Sequence, residues 1–226
     1  MSETATHEQP DERAIRVLIV DDHDLFRTGL RNLLEEQGVE IVGEAASGSQ
    51  ALDIVREAPP DVVIMDLNMP GMNGVDATRH ISRDAPLTRV IVLTISDQEQ
   101  DVMDAILAGA CGYLLKDASI QTLMQGIRAA AVGESLISPH IAGKVLQHVR
   151  ATTAAPEAAA TIRAELSDRE IEVLKLIANG KDNAMIARDL HISPKTVKNH
   201  ISNILMKLQI ENRIQAAVYA VRSGIV

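Results

Sequence analysis

The stretch Val62-Val63-Ile64-Met65-Asp66-Leu67-Asn68-Met69-Pro70-Gly71-Met72-Asn73-Gly74 (VVIMDLNMPGMNG) decides the fold. Four apolar residues without polar alternation read as a central strand of a parallel sheet, covered on both faces. The run ends on an acid and then breaks at Pro and Gly. Two runs of the same kind, Val17-Leu18-Ile19-Val20 and Val90-Ile91-Val92-Leu93, lie on either side of it in the chain, and residues 41–45 and 112–115 read as weaker strands. Between them, apolar residues recur at helical spacing: Leu25, Phe26, Leu30, Leu33 and Leu34, then Ala51, Leu52 and Val55, then Val102, Ala105, Ile106 and Leu107, then Leu123, Ile127 and Ala130. The order is strand then helix five times over, from about residue 15 to residue 133. It predicts an α/β domain with a five-stranded, doubly wound parallel sheet of flavodoxin-like topology.

Composition sets the outer limits. A chain of 226 residues, 46% hydrophobic and 23% charged, suits a soluble globular protein of one large or two smaller domains. The net charge of -9 is unevenly spread. Residues 14–134 hold 9 Lys and Arg against 19 Asp and Glu, whereas residues 167–226 hold 9 against 6. That asymmetry predicts two domains with different partners, of which only the second suits a polyanion. Phe26, Tyr113 and Tyr219 are the whole aromatic set, too few for a stacking platform that binds single-stranded nucleic acid. The lone Cys111 excludes an internal disulfide and any cysteine-based zinc site and reads as a small buried hydrophobe. The polar start MSETATHEQPDER has no apolar core, and no run of 18 apolar residues follows. The expectation is a cytoplasmic protein without membrane association.

In a doubly wound sheet, ligands bind beyond the carboxyl ends of the strands, where the strand order reverses. With the order 2-1-3-4-5, Asp21-Asp22 and Asp66 converge from neighbouring strands, joined by Thr94 and Lys116 from the fourth and fifth. Any one of these acids alone would pass for a turn former; their joint placement at strand ends is what points to chemistry. Three clustered carboxylates repel unless a cation joins them, and an all-oxygen site suits Mg²⁺. With a lysine and a hydroxyl beside it, such a site can transfer a phosphoryl group, Asp66 acting as nucleophile.

After Gly133 the pattern changes. Ser138-Pro139 predicts a further helix to about Arg150, followed by an Ala- and Thr-rich stretch broken by Pro156. Residues 135–165 are therefore expected to be a helix and linker between a domain at 14–134 and a second, all-α domain at 166–226. In that second domain Ser167 and Glu170 form a capping-box pattern, Gly180 reads as a helix stop, and Ser193-Pro194 opens another helix after a short turn. The pair predicts a helix-turn-helix. On its second helix Val197, Ile201, Ile204, Leu205 and Leu208 form the apolar stripe, while Lys195, Thr196, Lys198, Asn199, Ser202 and Asn203 are the candidate DNA contacts. Lysine suits phosphates or guanine, and asparagine suits adenine. By charge alone an ordinary solvated face would be as good a reading.

Two resemblances sharpen this picture. Asp21-Asp22, Asp66 followed by Asn68-Met69-Pro70-Gly71, Thr94, and Gly112-Tyr113-Leu114-Leu115-Lys116 resemble the receiver domain of bacterial two-component response regulators. Leu166-Ser167-Asp168-Arg169-Glu170, Ile186-Ala187 and Ile192-Ser193-Pro194-Lys195-Thr196-Val197-Lys198-Asn199-His200 resemble the LuxR-type output domain, and the whole is similar to the NarL subfamily. The resemblance implies that Asp66 accepts a phosphoryl group from a sensor histidine kinase. It implies that Asp22, Asp66 and the Asn68 carbonyl ligate Mg²⁺, with Asp21 holding a metal-bound water. Lys116 would pair with the phosphoryl group, Thr94 would move to bond it, and Tyr113 would swing inward as the switch. The chain would then form a homodimer through the last helix (Ile214, Ala217, Val218, Val221), bind double-stranded operator DNA and regulate transcription, with RNA polymerase as a further partner. Ile95 departs from the small residue that many family members carry after the switch threonine, and its bulk would restrict access to the phosphoryl group. His23 reads as a solvated neighbour of the acid pair.

Two rival readings have their own signatures. An aspartyl-phosphate phosphatase of the haloacid dehalogenase kind carries a second acid two residues after its nucleophile, where this chain has Asn68. A transcription factor indifferent to phosphorylation would have lost site residues, and none is missing. Neither an enzyme nor an unregulated factor is therefore the expectation.

Overall fold

The computed structural model describes residues 13–137, 141, 145 and 166–226. The helix expected after Ser138 and the linker to residue 165 fall almost wholly outside these residues. The first unit runs β1 (Arg16–Val20), α1 (Asp24–Glu36), β2 (Glu40–Ala45), α2 (Gly48–Glu57), β3 (Val62–Met65), α3 (Gly74–Asp84), β4 (Arg89–Thr94), α4 (Glu99–Leu107), β5 (Gly112–Leu115), α5 (Ile120–Ala131) and β6 (Leu136–Ile137).

The sheet is parallel throughout, in the order β2-β1-β3-β4-β5-β6. The predicted order of the first five strands holds, but the sheet has a sixth, two-residue strand. Leu136 pairs with Gly112; a Cβ at 112 would lie 3.1 Å from the Leu136 carbonyl oxygen. The missing side chain thus lets the extra strand approach.

Both faces of the sheet are covered, which is why its strands do not alternate in polarity. Val17, Ile19, Ile64 and Leu114 pack beneath α1 and α5 with Leu34 and Ile127. Leu18, Val20, Val63 and Met65 pack beneath α2 and α3 with Val55 and Ile81. Val92 and Tyr113 pack under α4 with Val102, Met103 and Ile106.

The second unit is helical: α6 (Asp168–Ala178), α7 (Asn183–Leu190), α8 (Pro194–Leu208) and α9 (Arg213–Arg222). Ser167 and Glu170 form the predicted capping box. Its carboxylate is buried and also accepts from Lys207 Nζ at 2.8 Å. Burial opposes ionisation of Glu170, but Lys207 and the Ser167 bonds outweigh it and hold the pKa below the ordinary glutamate value. Three residues, with His191 in the left-handed region at φ 53, separate α7 from α8.

The two units touch. Ile214 and Val218 of α9 pack with Val102, Met103 and Ile106 of α4. Asn212 Nδ2 donates to the Ala110 carbonyl at 3.0 Å, Gln215 Nε2 to the Ile106 carbonyl at 2.9 Å, and Asn183 Nδ2 to Glu134 Oε1 at 2.7 Å. A cleft of about 750 Å³ opens between the units beside Glu134, Lys181 and Arg213; none of the three acids lines it.

Candidate functional site

Each acid reaches the crevice because its strand stops there. Asp66 follows β3 directly and its backbone N–H still bonds to the Val20 carbonyl at 2.9 Å, while Asp21 N–H bonds to Ala45 O at 3.0 Å. The chain beyond Asp66 then turns through Gly71, at φ +77, and folds back so closely that a Cβ on Gly74 would stand 1.9 Å from the Asp66 carbonyl oxygen. Only glycine fits there, and the close approach holds the Asp66 backbone in place.

Asp21, Asp22, His23 and Asp66 each offer a ligand atom, all within 4.8 Å of one another. Asp66 is 3% exposed and Asp21 1%. Asp66 Oδ1 accepts from the Leu67 N–H at 2.8 Å. Lys116 Nζ bridges the acids, 2.8 Å from Asp66 Oδ2 and 2.6 Å from Asp21 Oδ2. Asp21 Oδ1 accepts from the His23 N–H at 2.9 Å. Asp22 Oδ1 is the one buried side-chain polar atom without a hydrogen-bond partner among the described residues; His23 Nδ1 lies 3.0 Å away but not in hydrogen-bonding alignment.

Burial works against the charge on Lys116, but its bonds to Asp21 and Asp66 prevail and raise its pKa. Three carboxylates against one ammonium leave a formal surplus of two negative charges. An orphaned carboxylate oxygen beside two further acids fits a hard divalent cation with oxygen ligands, and the cluster could bind one. Asn68 lies exposed at the rim.

Thr94 is fully buried at the end of β4, its Oγ1 accepting from the Ser96 N–H at 3.4 Å. Tyr113 is already inside, fully buried, with its hydroxyl donating to the Ser96 carbonyl at 2.9 Å. Burial, with Asp101 nearby, pushes its phenol up from the ordinary value. Ile95 is 78% exposed, turned to solvent. His23 is exposed, as the sequence suggested, and its Nδ1 lies 3.2 Å from Asp21 Oδ1 and 3.0 Å from Asp22 Oδ1. In the sequence Phe26 is legible as one of three aromatics and as part of the apolar face of α1; its ring lies 4.6 Å from Lys116 Nζ, a contact across 90 residues that no local pattern encodes. Cys111 is buried and its thiol is pushed up to about 12 by that burial, which excludes a reactive thiolate.

On α8 the apolar residues Val197, Ile201, Ile204 and Leu208 are buried. Lys195, Lys198, Asn199, Ser202 and Asn203 are exposed on one stripe, and Thr196 is half-buried. Thr196 and Ser202 are partly engaged: the Thr196 hydroxyl lies 2.8 Å from Ser193 Oγ, and Ser202 Oγ donates to the Lys198 carbonyl at 3.1 Å. Lys198 is exposed, with its Cε 3.9 Å from where a Cβ on Gly133 of the first unit would stand, so its stem lies beside that unit. No helix among the described residues is long and apolar enough to cross a membrane.

Comparison with known proteins agrees with these two units. Residues 17–128 match the response regulator receiver domain, and residues 164–220 match the bacterial regulatory proteins of the luxR family. The chain is 44% identical to the transcriptional regulatory protein LiaR of Bacillus subtilis (strain 168), over 94% of this chain and 99% of that one. It is 38% identical to the transcriptional regulatory protein DegU of Brevibacillus brevis, over 96% and 98%. Among solved structures, the response regulator ChrA of a heme-sensing two-component system is 35% identical, covering 94% of this chain and 99% of that chain at a TM-score of 0.52. The two-component response regulator RcsB in complex with DNA is 27% identical, covering 92% and 98% at 0.54.

Proposed function

The chain belongs to the luxR-type two-component response regulators, proteins that join a receiver domain to a DNA-binding domain and regulate transcription, and from that premise we propose that Asp66 is the phosphoacceptor. The observation that carries this assignment is the bridging of Asp66 and Asp21 by Lys116 beside the orphaned oxygen of Asp22. The donor is a phosphohistidine of a sensor kinase. An Asp66 oxygen forms the O–P bond as the P–N bond breaks and its electron pair returns to the imidazole. Lys116 exchanges the Asp66 carboxylate for a phosphoryl oxygen, and Thr94 donates its hydroxyl to another. Tyr113, already inward, needs no swing; it holds the loop after Thr94 through the Ser96 carbonyl.

Asp22, Asp66 and the Asn68 carbonyl would hold Mg²⁺, with Asp21 reaching it through water, and the ion would supply positive charge that offsets the clustered carboxylates and the incoming phosphoryl group. Asn68 stands where a phosphatase of the haloacid dehalogenase kind carries its second acid, which supports a switch over an enzyme that turns over external phosphates.

Residues 14–134 are assigned as the receiver, 166–226 as the DNA-binding domain and 135–165 as the segment joining them. In the arrangement described, Ile214 and Val218, part of the face expected to pair two chains, are spent on α4 of the receiver. Phosphorylation releases that face, two chains pair, and Lys195, Thr196, Lys198, Asn199, Ser202 and Asn203 of each enter adjacent major grooves of double-stranded operator DNA. The protein works in the cytoplasm, with RNA polymerase as the recipient of the output.

Intact mass after incubation with acetyl phosphate and Mg²⁺ tests the phosphoacceptor assignment. The wild type gains one phosphoryl group and Asp66→Asn gains none. An adduct that persists in the variant removes Asp66 from its role.

A further inference from the structure

Phe26 is the only phenylalanine in the chain, and its ring sits against the one lysine that serves the crevice. Lys116 Nζ lies over the ring, 4.6 Å from its centroid. The ammonium has three N–H donors, and the two acids it bridges, Asp21 and Asp66, accept from it at 2.6 and 2.8 Å. Phe26 itself is half-buried on α1 and packed against the core cluster beneath that helix. The ring is therefore fixed by the fold, while the lysine is a flexible four-carbon stem ending in a crevice.

We propose that Phe26 is a positioning residue for phosphoryl transfer, holding the Lys116 ammonium at the height of the Asp66 oxygens through the negative face of its ring. The proposal rests on the reading of Asp66 as phosphoacceptor. The chemistry explains why an aromatic ring occupies this place. When a phosphoryl group arrives, Lys116 must give up a carboxylate oxygen and donate to phosphate instead. A third carboxylate behind the lysine would compete for its N–H groups and repel the incoming anion. A ring quadrupole attracts the cation, accepts no conventional hydrogen bond, and adds no net charge. The lysine is thus kept in place throughout the exchange.

Because the chain has one phenylalanine, growth on 4-fluoro- or 3,5-difluorophenylalanine alters this ring alone. Fluorine drains the negative face with little change of shape. Four proteins are compared with the wild type for the rate of adduct formation with acetyl phosphate and Mg²⁺, and for melting temperature: the two fluorinated forms, Phe26→Leu and Phe26→Trp. The expected result is a rate about 2- to 5-fold lower in Phe26→Leu, the range for a partly shielded cation on an aromatic face. The rate steps downward with each added fluorine at an unchanged melting temperature, and Phe26→Trp stays close to the wild type. Fluorinated forms that react at the wild-type rate would overturn the proposal, even if Phe26→Leu were slow or failed to fold, because packing alone would then explain Phe26. A wild type that forms no adduct in the same assay would overturn the Asp66 reading, and the proposal with it.

Discussion

Asn212 uses the two ends of its amide for two different tasks, and Asn212→Asp separates them. Its Oδ1 accepts from the Gln215 N–H at 2.9 Å and caps α9, while its Nδ2 donates to the Ala110 carbonyl of the receiver at 3.0 Å. The residue is 4% exposed. Aspartate caps a helix as well as asparagine does, so α9 keeps its start. The donor to Ala110 is lost, and a carboxylate oxygen faces a carbonyl oxygen in its place. Leaving that carbonyl unpaired in a buried interface costs about 1–3 kcal/mol, and only while the two units are docked. The docked-to-open ratio should therefore fall by about 5- to 150-fold. The assay is operator affinity of the unphosphorylated chain, read by fluorescence anisotropy, with sedimentation for its dimer fraction and limited proteolysis for access to the segment between the units. Higher affinity, more dimer and faster cleavage are expected, with far-UV circular dichroism unchanged. A variant as compact and as weakly bound to DNA as the wild type would refute the claim that α9 is held by the receiver.

The other predictions concern separate parts of the molecule. Lys198→Ala, which removes an exposed lysine near the start of α8, should weaken operator binding about tenfold and lower the slope of log affinity against log salt by about one; an unchanged slope would place Lys198 away from the phosphates. Glu170 has its pKa lowered in the fold, so its contribution is present above the unfolded glutamate pKa and lost as the pH falls through the folded one. The melting temperature of the DNA-binding unit should drop in that acid window, and Glu170→Gln, less stable by about 1–2 kcal/mol at neutral pH, should show a flatter response there. Gly71→Ala, at φ +77 with nothing within 4 Å of the new Cβ, should cost about 1–2 kcal/mol of stability and leave phosphorylation intact. Gly74→Ala, with its Cβ 1.9 Å from the Asp66 carbonyl oxygen, should shift the nucleophile and slow phosphorylation by about tenfold or more; equal rates in the two variants would detach Gly74 from the site.

Legibility followed the range of the interactions. The central strands could be read because both their faces are buried, and Asp21, Asp22, Asp66, Thr94 and Lys116 could be grouped because each follows or ends a recognisable strand. Ser167 with Glu170 and Ser193 with Pro194 are local signals, complete within four residues. Leu136-Ile137 is too short to show any period, so the sixth strand was missed. The contacts between Phe26 and Lys116 and between Asn212 and Ala110 join residues 90 and 102 positions apart, and nothing in either neighbourhood announces them. Ile214 and Val218 were legible as an apolar face, but pairing with a second chain and docking on α4 demand the same residues. Tyr113 was expected to swing inward, a rotamer that depends on the space left by Val102, Met103 and Ile106 and that no strand pattern encodes.

The central claim is that a phosphoryl group on Asp66 changes the grip of α8 on DNA. The most direct measurement is operator affinity of one preparation before and after acetyl phosphate and Mg²⁺, with adduct occupancy read by intact mass from the same tube and Asp66→Asn carried in parallel. The account predicts that affinity and dimer fraction rise in step with occupancy in the wild type and stay flat in the variant. A fully phosphorylated wild type that binds no tighter than the unmodified chain would contradict it.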